Sequence, residues 1–139
     1  QERLKGFKKA LEQNGLEFKP SMVFHVNKQQ VEEGYSWMRG MVEQGKRVRV
    51  VFCGNDIIAT GVMKAALKHG LKIPEDIAIA GYDDLDYVEH LHVPLTTVRQ
   101  QMYPIVSTGT QILLKKIKNE RLAPQQVIFD PELIIRESV

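Results

Sequence analysis

The chain has 139 residues, 43% apolar and 26% charged, which suits one folded domain with a core of its own and excludes a disordered tail. The 19 Lys and Arg stand against 17 Asp and Glu, a net charge of +2 without a long basic run, so a face that grips DNA by itself is excluded. No stretch reaches the roughly 18 to 20 apolar residues of a membrane span, no signal-peptide pattern opens the sequence, and a lone cysteine excludes an internal disulfide.

Residues 3–14 carry Leu4, Phe7, Ala10 and Leu11 at helical spacing, with Gly15 as the stop, so the chain opens in a helix. It begins at Gln1 without an initiator Met, and is expected to be a piece of a longer protein. Pro20 resets the chain, 22–26 read as a short strand, and 31–43 resume helical periodicity through Tyr35, Met38 and Val42 before Gly45. Trp37 in that helix reads as core or interface. Residues 48–52 are a β-branched strand, and Cys53 after it reads as a buried, inert thiol suited to a reducing cytoplasm. Asn55 or Asp56 can cap a helix over 57–69, which Gly70 and Pro74 close. The apolar run 77–80 is the next strand. Beyond Asp86, a helical turn is predicted at 87–91, an extended segment at 95–98, a helix over 103–119, and strands at 127–129 and 133–135. Strands that alternate with helices and are apolar on both sides predict an α/β fold, a doubly wound, mostly parallel sheet with helices on both faces.

Ligands of such sheets sit outside the carboxyl ends of the strands. Two strands end in polar clusters there: VVFCGND at Asn55 and Asp56, and IAIAGYDDLD at Asp83, Asp84 and Asp86. Carboxylate and amide oxygens delivered to a rim can hold the hydroxyls or ring N–H groups of a polar small molecule. The residues leave two readings open, a ligand rim or simply a helix cap and a turn. His90 and His92 lack an acidic or cysteine companion at ligand spacing, so no metal is expected. No cofactor is expected, and no oriented nucleophile or glycine-rich phosphate loop points to an enzyme.

The series RLKGFKKALEQNGL, VVFCGNDIIATGVMKAALKHGLKIPEDIAIAGYDDLD, VPLTTVRQQM and ELIIRESV resembles the C-terminal part of the lactose-repressor/galactose-repressor (LacI/GalR) transcription regulators, in family order and over essentially the whole chain. The resemblance implies a periplasmic-binding-protein-like C-terminal lobe. Residues 1–139 become a partial effector-binding domain, with 99–122 crossing back to the N-terminal lobe and the DNA-binding headpiece absent. It implies a cytoplasmic repressor, not an enzyme. A sugar, sugar phosphate or purine in the interlobe cleft alters operator affinity through a headpiece outside this sequence. A periplasmic sugar-binding protein of a transporter is the alternative on the same fold. Carried over by position, Arg3, Asn55 and Asp83 face the effector. Gln29 falls where many members place a stacking aromatic, and Gln29 and Tyr82 are further candidates. A homodimer is implied through Ile57, Ile58, Val62, Lys64, Tyr87 and Val88. The first strand of the lobe, normally central, would precede Arg3, so the sheet edges are expected to re-pair or to be covered by another copy.

Overall fold

A computed structural model describes residues 2–118 and 123–139. Helix α1 (Glu2–Gln13) is followed by a 3-10 turn (Pro20–Met22), α2 (Val31–Glu43), strand β1 (Val50–Phe52), α3 (Asp56–Lys68) and β2 (Ala78–Ala80). A second 3-10 turn (Val88–His90), β3 (Thr97–Arg99), α4 (Met102–Lys118) and β4 (Glu132–Ile134) complete the order. Asn119, the predicted last residue of α4, and the end of the 99–122 crossover lie outside the described residues.

Strand β2 is the spine. On one edge it pairs in parallel with β1, Val51 opposite Ile79. On the other edge its alternate amides reach the later strands, Gly81 N–H donating to Thr96 O and Asp83 N–H to Val98 O, both at 2.9 Å. Single parallel bridges, Ala80 to Thr96 and Asp83 to Arg99, mark this seam, and β4 runs antiparallel to β3 beyond it. The C-terminal segment stitches the seam: the buried Ser138 hydroxyl donates to Ile79 O at 2.6 Å and accepts from Thr96 N–H at 2.8 Å.

The core lies between β1–β2 and the pair α2/α3. Met38, Val62, Ile77 and Ile79 are at most 1% exposed, and Ala59, Ala65 and Ala66 keep α3 narrow. Glycine lets these two helices touch. A Cβ on Gly34 would collide with the Ile58 carbonyl, and one on Gly61 with the Val31 carbonyl. Since successive residues of a strand face opposite sides, Phe52 points opposite to Val51, and there it stacks on Phe7 of α1 at 6.3 Å between centroids. Neither α1 nor α4 has a buried residue, and Ile105, Leu113 and Ile117 of α4 are exposed.

Two predicted strands do not form. Val23 is extended, but residues 22–26 have no ladder neighbour among the described residues, and Phe24 leans on Trp37 at 5.8 Å instead. Residues 127–129 are likewise unpaired, with Ile128 78% exposed. An apolar extended run becomes a strand only when a partner accepts its backbone hydrogen bonds. Among the described residues no helix is long and apolar enough to cross a membrane.

Candidate functional site

The carboxyl ends of β1 and β2 emerge side by side because Asp56 N–H, at the start of α3, donates to Tyr82 O at 2.9 Å. Asn55 is the N-cap of α3, its Oδ1 accepting from Ile58 N–H at 2.9 Å. The amide nitrogen of this buried side chain donates to Gln29 Oε1 at 3.1 Å. The cap and rim readings therefore describe two ends of one side chain.

Asp56 has a different task from capping. It is wholly buried, with Oδ1 accepting from Thr97 Oγ1 at 2.6 Å and Oδ2 from Leu85 N–H at 2.9 Å. Gly81 has to be glycine beside it, because a Cβ there would overlap Asp56 Oδ1. The carboxylate thus ties the start of α3 to β3 and to the loop that follows Asp84.

Across the rim, Arg3 lies with its guanidinium carbon 3.8 Å from the Tyr82 ring centroid, donates to Gly54 O, and places Nη2 3.4 Å from Asp83 Oδ1. Asp83 Oδ1 also accepts from Gln100 Nε2 at 2.6 Å. Arg3, Tyr82 and Asp83 form one cluster by direct contact, and Asn55 with Gln29 form a second one, joined to the first through Gly54. All five predicted rim residues meet on one ledge. The side chains of Arg3 and Asp83 remain 41% and 27% exposed, so their charged groups are reachable from solvent.

The acidic run does not reach the rim as a block. Asp83 and Asp84 both have positive φ, 116° and 54°, a conformation that costs a non-glycine residue energy and swings the two side chains apart. Asp84 turns inward, its side chain 6% exposed, with Oδ2 2.6 Å from Arg99 Nε and Oδ1 2.8 Å from Arg136 Nη2. Burial pushes the Asp84 carboxyl up, but the hydrogen bond from Arg99 and the charges of Arg99 and Arg136 prevail and hold it below the ordinary carboxylate range. Asp86 is exposed and, among the described residues, forms no hydrogen bond or ion pair with the cluster. Gln100 was reachable by the rule that found Asn55 and Asp83, since it follows the carboxyl end of β3. The inward turn of Asp84 depends on Arg136, far along the sequence, and no local pattern signals it.

The predicted dimer residues divide. Ile58, Val62 and Val88 are buried in this chain's own core. Ile57, Lys64 and Tyr87 stay at least partly accessible. Among the described residues no three His, Cys, Asp or Glu side chains gather as a metal set. A groove of about 440 Å³ lies against α2 between Phe24, Glu33, Trp37 and Met41, and none of the rim residues lines it.

The sequence profile of the periplasmic binding protein-like domain matches residues 1–139. The chain belongs to that family. Within it, the chain is 37% identical to the HTH-type transcriptional repressor PurR of Haemophilus influenzae, over 99% of its own length and 41% of that protein's. It superposes with a TM-score of 0.90 on the transcriptional regulator CelR in complex with cellobiose, at 28% identity, covering 99% of this chain and 42% of that one. With the transcription regulator CcpA of Lactococcus lactis the TM-score is 0.87 at 27% identity, covering 99% and 49%. This periplasmic binding protein-like domain therefore has LacI- and PurR-type regulators as relatives and structural neighbours. It spans about two fifths of the length of the curated relatives it matches.

Proposed function

We propose that the chain is the effector-binding and dimerisation region of a bacterial, cytoplasmic LacI-type transcription regulator that performs no catalysis. The observation that carries this is the meeting of Arg3, Tyr82 and Asp83 beside Gly54, with Asn55 and Gln29 adjoining. An Arg and an Asp at contact distance present donors and acceptors together, and an aromatic ring backs the guanidinium. That combination suits a polar small molecule with vicinal hydroxyls or a heterocyclic edge, a sugar, sugar phosphate or purine. The cellobiose in the complex of the neighbouring regulator is consistent with this class. The relatives are regulators, which favours this reading over a transporter's solute-binding protein.

In this reading residues 99–122 are the crossover toward a second lobe that closes over the ledge, and the exposed face of α4 belongs against that lobe. Operator DNA is bound by a headpiece outside this sequence. The homodimer uses the accessible stripe of α3, Ile57 and Lys64, together with Tyr87. The test is operator binding by the full-length regulator across a panel of cellobiose, sucrose, purine bases and hexose phosphates. Arg3→Ala and Asp83→Ala are expected to keep operator binding and to lose its response to the active compound. A full response in both variants would remove the ledge from the effector site.

A further inference from the structure

The Asp83–Asp84 turn is held in an unfavourable conformation by contacts that do not belong to the rim. Two consecutive non-glycine residues at positive φ persist only where their surroundings over-determine them. Here Asp83 N–H is tied to Val98 O at 2.9 Å and Leu85 N–H to Asp56 Oδ2 at 2.9 Å, so the backbone is pinned on both sides of the turn. Between these pins the Asp84 carboxylate is gripped from two directions. Arg99 approaches at 2.6 Å from β3, and Arg136 at 2.8 Å from the C-terminal segment. Both arginines are themselves anchored. Arg136 donates to Leu95 O at 2.8 Å and its backbone N–H to Thr96 Oγ1 at 2.8 Å, while Arg99 lies 3.6 Å from Glu132 of β4.

We infer that Arg99 and Arg136, acting through Asp84, are positioning residues that aim the Asp83 carboxylate along the rim and dock Gln100 onto it. The geometry leaves each residue of the pair one role. Asp84 takes the inward direction and the charge partners, and Asp83 is left with the outward direction. Arg99 precedes Gln100 in the chain, so the ion pair that fixes Asp84 also fixes where Gln100 starts, and Gln100 reaches Asp83 Oδ1 at 2.6 Å. Releasing Asp84 frees both partners of that bond. The functional weight of the aim rests on the effector reading of Asp83, whereas the aim itself is observable without an effector.

The test uses the full-length protein with glutamine-selective isotope labelling. The side-chain amide of Gln100, assigned by its disappearance in Gln100→Leu, is expected downfield of the other glutamines. Its exchange with water is expected to be slowed roughly tenfold, as for a hydrogen bond to a charged acceptor. Asp84→Gly keeps a residue at ease with positive φ and deletes the grip. Arg99→Gln deletes one arm from outside the turn. With core methyl signals native, Asp84→Gly is expected to return the Gln100 amide to the position and exchange rate of a free glutamine, and Arg99→Gln to move it part of the way. A purely structural role would move the core signals and the amide together. An unaltered Gln100 amide in natively folded Asp84→Gly would overturn the inference, and if that variant does not fold, an unaltered amide in Arg99→Gln would do so. Effector response of Asp83→Ala is read separately, so an error about the effector and an error about the clamp give different results.

Discussion

Thr97 Oγ1 donates a 2.6 Å hydrogen bond to Asp56 Oδ1 in the interior of the molecule, joining the first turn of α3 to β3 across the end of β2. The second oxygen of the same carboxylate accepts from Leu85 N–H. One buried side chain thus registers three segments that each supply a rim residue: Asn55 before α3, Asp83 before Leu85, and Gln100 after β3.

Removing that carboxylate leaves the Leu85 amide and the Thr97 hydroxyl without an acceptor in a dry site. Asp56→Ala is expected to destabilise the full-length protein by about 2 to 5 kcal/mol, from the desolvation of groups left unpaired. Thr97→Val, which removes a single donor, is expected to cost less. Urea denaturation followed by circular dichroism checks both values and their order.

The contact of α2 with α3 depends on hydrogen atoms standing where other residues carry Cβ. Gly34→Ala and Gly61→Ala each push a methyl into a carbonyl of the opposite helix. Each is expected to destabilise by about 1 to 3 kcal/mol, against the usual gain of replacing a helical glycine by alanine. The double variant is expected to cost less than the sum, because separating the helices once accommodates both methyls. Thermal melts of the two single variants and the double one decide this.

Asp84 sets an acid limit. Its carboxyl titrates below the ordinary range when folded and near about 3.9 when unfolded, so the unfolded chain binds the proton first as pH falls. The stabilisation is therefore complete above pH ~4 and is lost as pH falls through the lower, folded-state value. Asp84→Asn is expected to be less stable at neutral pH and to lose less further stability on acidification below pH ~4 than the wild type. Denaturant midpoints measured from pH 7 to pH 2 give the comparison, and parallel curves for the two proteins would contradict it.

Cys53 follows β1 inside the core, 4% exposed, and burial, aided by the nearby Asp56 charge, pushes its thiol up to about 12. Thiolate is the reactive form, so a thiol reagent at pH 8 is expected to leave the folded protein unmodified and to label it rapidly in denaturant. Rapid labelling of the native protein would show that this end of β1 opens.

Much of the ledge was legible because strand ends obey a strong rule. An apolar run turning polar at its carboxyl end marked Asn55 and Asp83; the structure puts Asp83 in contact with Arg3, and Asn55 next to Gly54, whose carbonyl accepts from Arg3. Helices α2 and α3 were legible from their periodicity, with Gly45 and Gly70 at positive φ just beyond them as expected of terminators. What escaped the sequence were relationships that need a distant partner. Residues 22–26 and 127–129 have the composition of strands, yet composition cannot say whether a neighbouring backbone is present. Asp84 looked like a third rim carboxylate, and its inward turn is decided by Arg99 and Arg136. Ile58 and Val62 lie on the face of α3 that meets α2, which is as apolar as an interface, and Val88 is buried in the second 3-10 turn.

The central claim is that the ledge of Arg3, Asn55 and Asp83 holds the effector, and calorimetric titration of the full-length protein with the compound that most raises its melting temperature tests it most directly. Asp83→Ala is expected to weaken binding roughly 10- to 150-fold, as loss of a hydrogen bond to a charged group does, while Glu43→Ala at the exposed end of α2 leaves it unchanged. Wild-type affinity in Asp83→Ala would contradict the account.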